Sequence, residues 1–219
     1  MSPQADAQQA LAGPAKDCAL CPRLVKFRKT NQAEYPEFFN GAVPPFGAAD
    51  ASVLVVGLAP GLKGANRTGR PFTGDYAGDL LYATLLKMGL ARGTYRAEPG
   101  DITLTGVRIT NAVRCVPPEN KPTPAEQNTC RKFLIDEMGA LPKLRAILSL
   151  GLISHNAVLT TLELRKASYP FAHGALHQLP NGILLADSYH CSRYNVNTGR
   201  LTAAMFEKVI VDIKAAIKA

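Results

Sequence analysis

The residues of this 219-residue chain whose types and spacing could do chemistry fall into three groups. The first is a set of four cysteines: Cys18 and Cys21 in a C-x2-C turn, then Cys115 and Cys130 separated by fourteen residues. Two thiolates from one tight turn and two from distant segments can close a tetrahedral site, and a structural zinc ion and an iron-sulfur cluster both suit four cysteines. Zinc ribbons usually show two C-x2-C knuckles where this chain has one, so zinc is not the obvious occupant. The plainer reading is four unrelated packed cysteines. Cys191 is left over and reads as a small packed side chain.

The second group is "GLAPG", residues 57 to 61, with "NRTGRPFTGD", residues 66 to 75. The first part could be a strand-ending turn; it is neither G-x-G-x-x-G nor a phosphate loop. The second part places Arg67, Arg70, Phe72 and Asp75 within ten residues, a mixture suited to a polar site. Its plain readings are that Phe72 is a local core residue and that Asp75 caps a following helix. The third group is His190 followed by "CSRYNVNTGR". A lone strand-end histidine is more often structural than catalytic, but here Arg193, Tyr194 and Arg200 stand ready to meet phosphates or fill a base stack. His155 and His173 have no such company, and His177 lies in the connection "HGALHQLPNG".

Something must position these groups. Four apolar runs read as buried strands: 52 to 57, 106 to 113, 144 to 151 and 182 to 190. Helical patterns lie between them at 78 to 90, 123 to 141 and 153 to 164, with a closing helix over 202 to 219. Thr123 before Pro124, with Glu126 three residues on, is a capping box with proline at the first helical position. Alternating strands and helices argue for a parallel sheet covered on both faces, an α/β fold whose ligands gather beyond the carboxyl ends of the strands. The motifs converge there: "APG" after the first run, Asn111 in the second, Gly151 and Ser154 after the third, His190 after the fourth.

Bulk properties bound the rest. A chain of this length with 47% hydrophobic residues suits one domain, and residues 1 to 17 read as a flexible arm ahead of a domain over 18 to 219. The net charge of +8 suits a polyanion such as nucleic acid, or simply a soluble basic protein. No apolar stretch approaches the roughly 20 residues of a membrane span, and the N-terminus lacks the pattern of a secretory signal. A cytoplasmic protein without disulfides is expected.

Together "GLAPG", "RPFTGD", "TNAVRC" and "HCSRYNVNTGRLT", in this order and spacing from Cys18 to about Thr202, resemble the uracil-DNA glycosylase superfamily and specifically its family 5, the iron-sulfur UDGb group. The resemblance implies a three-layer αβα sandwich around a four-stranded parallel sheet, and a [4Fe-4S] cluster on Cys18, Cys21, Cys115 and Cys130. It implies a monomer that flips uracil and other deaminated or damaged bases out of DNA, in double-stranded form with a mispaired lesion, and cleaves the N-glycosidic bond by hydrolysis. By motif, Gly57, Ala59 and Gly61 line the base pocket, Phe72 stacks on the base, Asn111 reads its Watson-Crick edge and His190 sits against O2. Arg67, Arg70, Ser192, Arg193, Tyr194, Asn195 and Arg200 become candidates for holding DNA.

The motifs also depart from the superfamily's pattern. Its general-base Asp is here Ala59 and the family 4 Glu is Leu58, which leaves Asp75 as the nearest carboxylate to orient water. Cys191 replaces the proline of the common His-Pro-Ser motif. Gly61 stands where the uracil-specific first family has a tyrosine, which leaves that side of the pocket open to larger bases. A different class of reading is a non-catalytic iron-sulfur protein that binds nucleic acid or senses redox state.

Overall fold

The computed structural model describes residues 3–218. In chain order the elements are α1 (Pro3–Ala12), α2 (Pro22–Glu34), β1 (Phe46–Gly47), β2 (Val53–Gly57), α3 (Ala65–Thr68), α4 (Tyr76–Lys87), β3 (Ala91–Gly93), β4 (Ile102–Leu104), β5 (Val107–Asn111), a 3-10 turn (Pro118–Asn120), α5 (Pro124–Gly139), β6 (Ala146–Leu150), α6 (Leu152–Thr161), a second 3-10 turn (Lys166–Ser168), β7 (Leu176–Gln178), β8 (Leu184–Ser188), α7 (Arg193–Asn197) and α8 (Ala203–Lys218).

The four expected strands are β2, β5, β6 and β8, and they run parallel side by side in the order β5-β2-β6-β8. All are buried along their whole length, as strands covered on both faces must be. Successive residues of β2 face opposite layers. Val53 and Val55 meet Leu81, Tyr82 and Leu85 of α4 and Phe206, Val209 and Ile213 of α8, whereas Leu54 and Val56 meet Leu134 and Met138 of α5 and Val158 and Leu159 of α6. The three-layer αβα arrangement follows from this alternation.

The four parallel strands are extended at both sides. Among the described residues the sheet has six strands, because β1 and β7 add antiparallel edges to β5 and β8, and β3 pairs with β4 separately. Elements of two or three residues carry too little periodicity to be read from sequence. The expected arm also differs: residues 3 to 12 form α1, which packs on α5, and Leu11 packs against the α5/α6 core. The Arg108 guanidinium, buried in β5, donates to the Leu11 and Gly47 carbonyls while its Nε holds Glu137 of α5 at 2.6 Å. Glu137 also takes Arg114 at 2.7 Å, so one buried carboxylate serves two guanidinium groups. The capping box of α5 forms as expected, with Glu126 accepting from the Thr123 amide at 2.7 Å.

Candidate active site

Parallel register delivers the site. Gly57, the last residue of β2, lies opposite Asn111, the last of β5. A Cβ at Gly57 would overlap the Asn111 side-chain oxygen and stand 2.6 Å from the Phe72 ring, so only glycine lets both side chains approach the strand end. Around this point opens a cavity of about 620 Å3 whose lining includes Ala59, Gly61, Phe72, Asp75, Asn111 and His190.

Phe72 sits at φ 51, a left-handed backbone that a bulky residue adopts only when its surroundings impose it. The constraint is a brace of aromatic hydroxyls. Tyr82 Oη donates to the Pro71 carbonyl at 2.8 Å, and Tyr95 Oη accepts from the Gly74 amide at 3.2 Å and donates to the Phe72 carbonyl at 3.4 Å. Arg70 completes it: its guanidinium reaches Asp101 at 2.6 Å and Thr73 at 2.8 Å, and lies over the rings of Phe46, Tyr82 and Tyr95. Burial pushes the Asp101 carboxyl up, but Arg70 and the amides of Arg96 and Glu98 outweigh that and hold it below the usual range. The sequence puts Arg70 on DNA; the structure corrects this, because its donors are spent inside the protein. Its work is to hold the Phe72 loop in place.

Asp75 has two faces. Its Oδ1 accepts from the Gly78 amide at 3.3 Å and so caps α4, as the plain reading expects. Its Oδ2 lies against Gly61, the last residue of "GLAPG", and Gly64 just beyond it: a Cβ at Gly64 would collide with it, and one at Gly61 would stand 3.3 Å away. The cap therefore aims the second oxygen at the pocket.

His190 follows β8 and its ring lies 5.9 Å from that of Phe72. Burial lowers its pKa below the ordinary 6.5, and the Asp75 charge opposes part of that shift. At neutral pH the ring is an uncharged imidazole with one N–H to give. The loop is held by Asn195, whose side-chain amide donates to the His190 carbonyl at 2.8 Å, and by Ser192, which caps α7. Cys191 is fully buried in the main core, and burial pushes its thiol up to about 12, in keeping with a packed side chain.

The remaining candidates for DNA scatter along the rim. Ser192 and Arg193 line the pocket, with the Arg193 guanidinium 5.4 Å from the Tyr76 ring centre. Tyr194 is 72% exposed on α7, a large ring mostly open to solvent. Arg67 donates to the Gly74 carbonyl at 3.0 Å, and Arg200 lies 4.4 Å over Tyr189. Sequence reasoning missed Lys63, Tyr76 and Asn120, which also line the pocket. The signal for Asn120 was faint: Glu119 and Asn120 both take left-handed backbone in the proline-rich turn, and only Asn favours it.

The four cysteines meet in a second, small cavity beside Leu24, Val113 and Phe133. All are free thiols. The Arg114 amide donates to Cys130 Sγ at 3.4 Å, Arg28 reaches Cys115 Sγ at 3.9 Å, and Arg28 also binds the Asp17 and Cys18 carbonyls at 3.0 Å. Arg23 of α2 grips Glu126 at 2.7 Å and closes the corner. Burial pushes the Cys115 thiol up to about 12. Four cysteines thus line one cavity, with N–H donors turned toward two of the sulfurs, while no three His, Cys, Asp or Glu side chains among the described residues are grouped so that they could hold a metal ion.

These features define an α/β protein whose parallel sheet gathers an aromatic ring, a buried amide and an uncharged histidine around one cavity at the carboxyl ends of its strands. Residues 44–214 match the model of the uracil DNA glycosylase superfamily, and the chain belongs to that superfamily. Within it the chain has relatives of both type 5 and type 4. The type-5 uracil-DNA glycosylase of Thermus thermophilus is 46% identical over 90% of this chain and 92% of its own, and that of Pyrobaculum aerophilum 40% identical over 89% and 86%. A type-4 enzyme of Pyrobaculum aerophilum is 36% identical over 74% and 70%. The structure of Pedobacter heparinus SMUG2, at 12% identity, covers 97% of both chains with a TM-score of 0.51 and shares the fold. Among the described residues no helix is long and apolar enough to cross a membrane.

Proposed function

We propose that the protein is a DNA glycosylase that flips uracil and other deaminated or damaged bases into the 620 Å3 pocket and releases them by hydrolysis, leaving an abasic site. The observation that carries this is the convergence of Phe72, Asn111, Asp75 and His190 on one cavity. Phe72 offers a π-face, and the Asn111 amide offers one donor and one acceptor to an imide edge. As the bond between C1′ and the base breaks, its electron pair leaves with the base, and the neutral His190 donates its N–H to the oxygen on which charge grows. Asp75 Oδ2 orients a water and favours the positive charge developing on the sugar. The water oxygen bonds to C1′, and its proton passes to Asp75 or solvent. Ala59 and Leu58 offer no base, so anion stabilisation is the larger catalytic effect.

The same reading assigns Cys18, Cys21, Cys115 and Cys130 to a [4Fe-4S] cluster, supported by their shared cavity and the N–H donors beside two of them. When bound, the cluster would staple the segment ahead of α2 to the loop before α5 through Cys115 and to α5 itself through Cys130. Residues 18–219 act as one domain and as a monomer, on double-stranded DNA in the cytoplasm, with Ser192, Arg193, Tyr194 and Asn195 at the strand. Cys130→Ala should bleach visible iron-sulfur absorption and lower soluble yield while Cys191→Ala does not; the opposite pattern refutes the ligand set. The deciding experiment is single-turnover excision from oligonucleotides carrying uracil, hypoxanthine, xanthine or an etheno adduct, read as alkali-induced strand breaks. No break with any of them would leave the non-catalytic nucleic-acid-binding reading.

A further inference from the structure

The catalytic pocket occupies only one side of the strand edge. It opens where α4 begins, over the α4/α8 layer. Across the sheet, α5 and α6 flank a second groove of about 320 Å3. Gln127, Asn128 and Arg131 line it from α5, Ile153 and Asn156 from α6, and Lys166 beyond the end of α6. No Asp or Glu is among its lining residues, while two cations are. It reaches the carboxyl ends of the strands, because Ala112, the residue after Asn111, belongs to its lining.

Between groove and pocket stands an unusual pair. Leu152 and Ile153, consecutive in the first turn of α6, are 53% and 50% exposed. Most of the apolar residues of α6 pack inward, Val158 and Leu159 completely. Single exposed aliphatics need no explanation; two adjacent ones on the functional edge do. They directly follow Gly151, where a Cβ would stand 3.7 Å from the His190 Cβ. The pair thus continues the surface that holds the reactive base.

We infer that Leu152 and Ile153, with Arg131 and Lys166 in the groove behind them, form a second DNA contact on the far side of the strand edge from the pocket. This rests on the glycosylase reading and adds a surface to it. A duplex lying across the edge with its lesion in the pocket brings its flank over α6. Aliphatic side chains there press against the stack loosened by the departed base, as apolar wedges do, while the two cations neutralise phosphates of the flanking backbone and release counterions. The absence of carboxylates in the groove lining suits DNA over a basic partner.

The test uses the whole protein and a short duplex with a central, non-cleavable 2′-fluoro-deoxyuridine, titrated by fluorescence anisotropy over a range of salt. Arg131→Ala combined with Lys166→Ala should weaken binding roughly tenfold at low salt and reduce the log-log salt slope by about 0.9 for each phosphate that is no longer neutralised. Leu152→Ser combined with Ile153→Ser should slow single-turnover excision of mispaired uracil from duplex several-fold and leave excision from single strands unchanged. All four side chains are exposed or half-buried, and melting temperature checks that the variants fold. Wild-type protein that excises uracil, with binding and slope unmoved in the charge variant, overturns the surface alone. Duplex excision that is unchanged in the aliphatic variant, or slowed by the same factor as single-strand excision, removes the wedge. Wild-type protein that excises nothing, yet whose duplex binding falls in the charge variant, overturns the glycosylase reading and keeps the surface.

Discussion

Two histidines sit near the carboxyl ends of neighbouring strands, and they do opposite work. His190 follows β8 and faces the large pocket, where its ring meets Phe72 at 5.9 Å. His155 lies in the first turn of α6, after β6, and both its ring nitrogens are engaged: Nδ1 with Asp187 Oδ1 at 2.7 Å, Nε2 with the Tyr169 carbonyl at 2.9 Å. Ser149 Oγ donates to the same Asp187 oxygen at 2.6 Å, and His177 lies 3.4 Å from the other. The register that pairs Ser149 with Asp187 on β6 and β8 builds this network, as the register of β2 and β5 builds the pocket. A histidine is available for chemistry when the fold leaves a nitrogen unspent, and by that standard His155 is a structural tie.

Replacing each residue tests the distinction most strongly. His190→Ala should slow single-turnover uracil excision by about 100- to 1000-fold, the usual cost of one donor to a developing anion, with little change in melting temperature. His155→Ala should do the reverse: it takes from the buried Asp187 its imidazole partner at 2.7 Å and should cost roughly 3 kcal/mol of stability, while the folded fraction excises uracil at a near-normal rate. Equal effects of the two on catalysis would erase the contrast.

Asp75→Asn is the next largest. Asn also caps helices well, so the variant keeps the bond to the Gly78 amide and removes only the charge. Single-turnover excision should fall roughly 100-fold with folding intact. Near-normal excision would take Asp75 out of the mechanism and leave His190 as the main catalytic contribution.

What the sequence told and what it withheld follow from range. The four parallel strands were legible because each is a continuous apolar run bounded by polar or glycine-rich residues, and the capping box of α5 because its parts lie three residues apart. Helix α2 was not, since it buries Arg28 and Asn31 alongside a single leucine and shows no apolar stripe. The pocket was legible in its types: Phe72, Asn111, Asp75 and His190 line one cavity. Arg70 was misread for the reason that His155 was dismissed. Its partner Asp101 is thirty-one residues away, as Asp187 is thirty-two from His155, and local company cannot reveal a partner brought in by another strand or loop.

Gly61→Tyr addresses the width of the pocket. Gly61 needs no left-handed backbone, and a Cβ there would press on Asp75 Oδ2 at 3.3 Å, so the first atom of a side chain is admitted with a shift of a few tenths of an ångström in that carboxylate. Uracil excision should drop severalfold and excision of larger bases should fall below detection in the same oligonucleotide panel. A variant that keeps the full range would show that Gly61 does not set breadth.

The smallest expected effect has a definite sign. Burial lowers the pKa of both His190 and His173 below 6.5, with the Asp75 charge countering part of the shift at His190. His173 Nδ1 accepts from the Tyr189 amide at 3.2 Å, which it can do only while unprotonated, and so it braces the residue just ahead of His190. The folded protein releases these two protons at lower pH than the unfolded chain does. Between the lowered values and 6.5 the unfolded chain therefore binds more protons, and stability must rise with pH across that interval and level off above it. Asp75→Asn removes the charge that supports protonated His190, so its titration, followed by the ring's proton resonances, should move further down and the rise in stability should begin at lower pH. A His190 titration that moves up in Asp75→Asn would mean that the carboxylate does not face this ring, and would separate the two groups that the pocket is held to bring together.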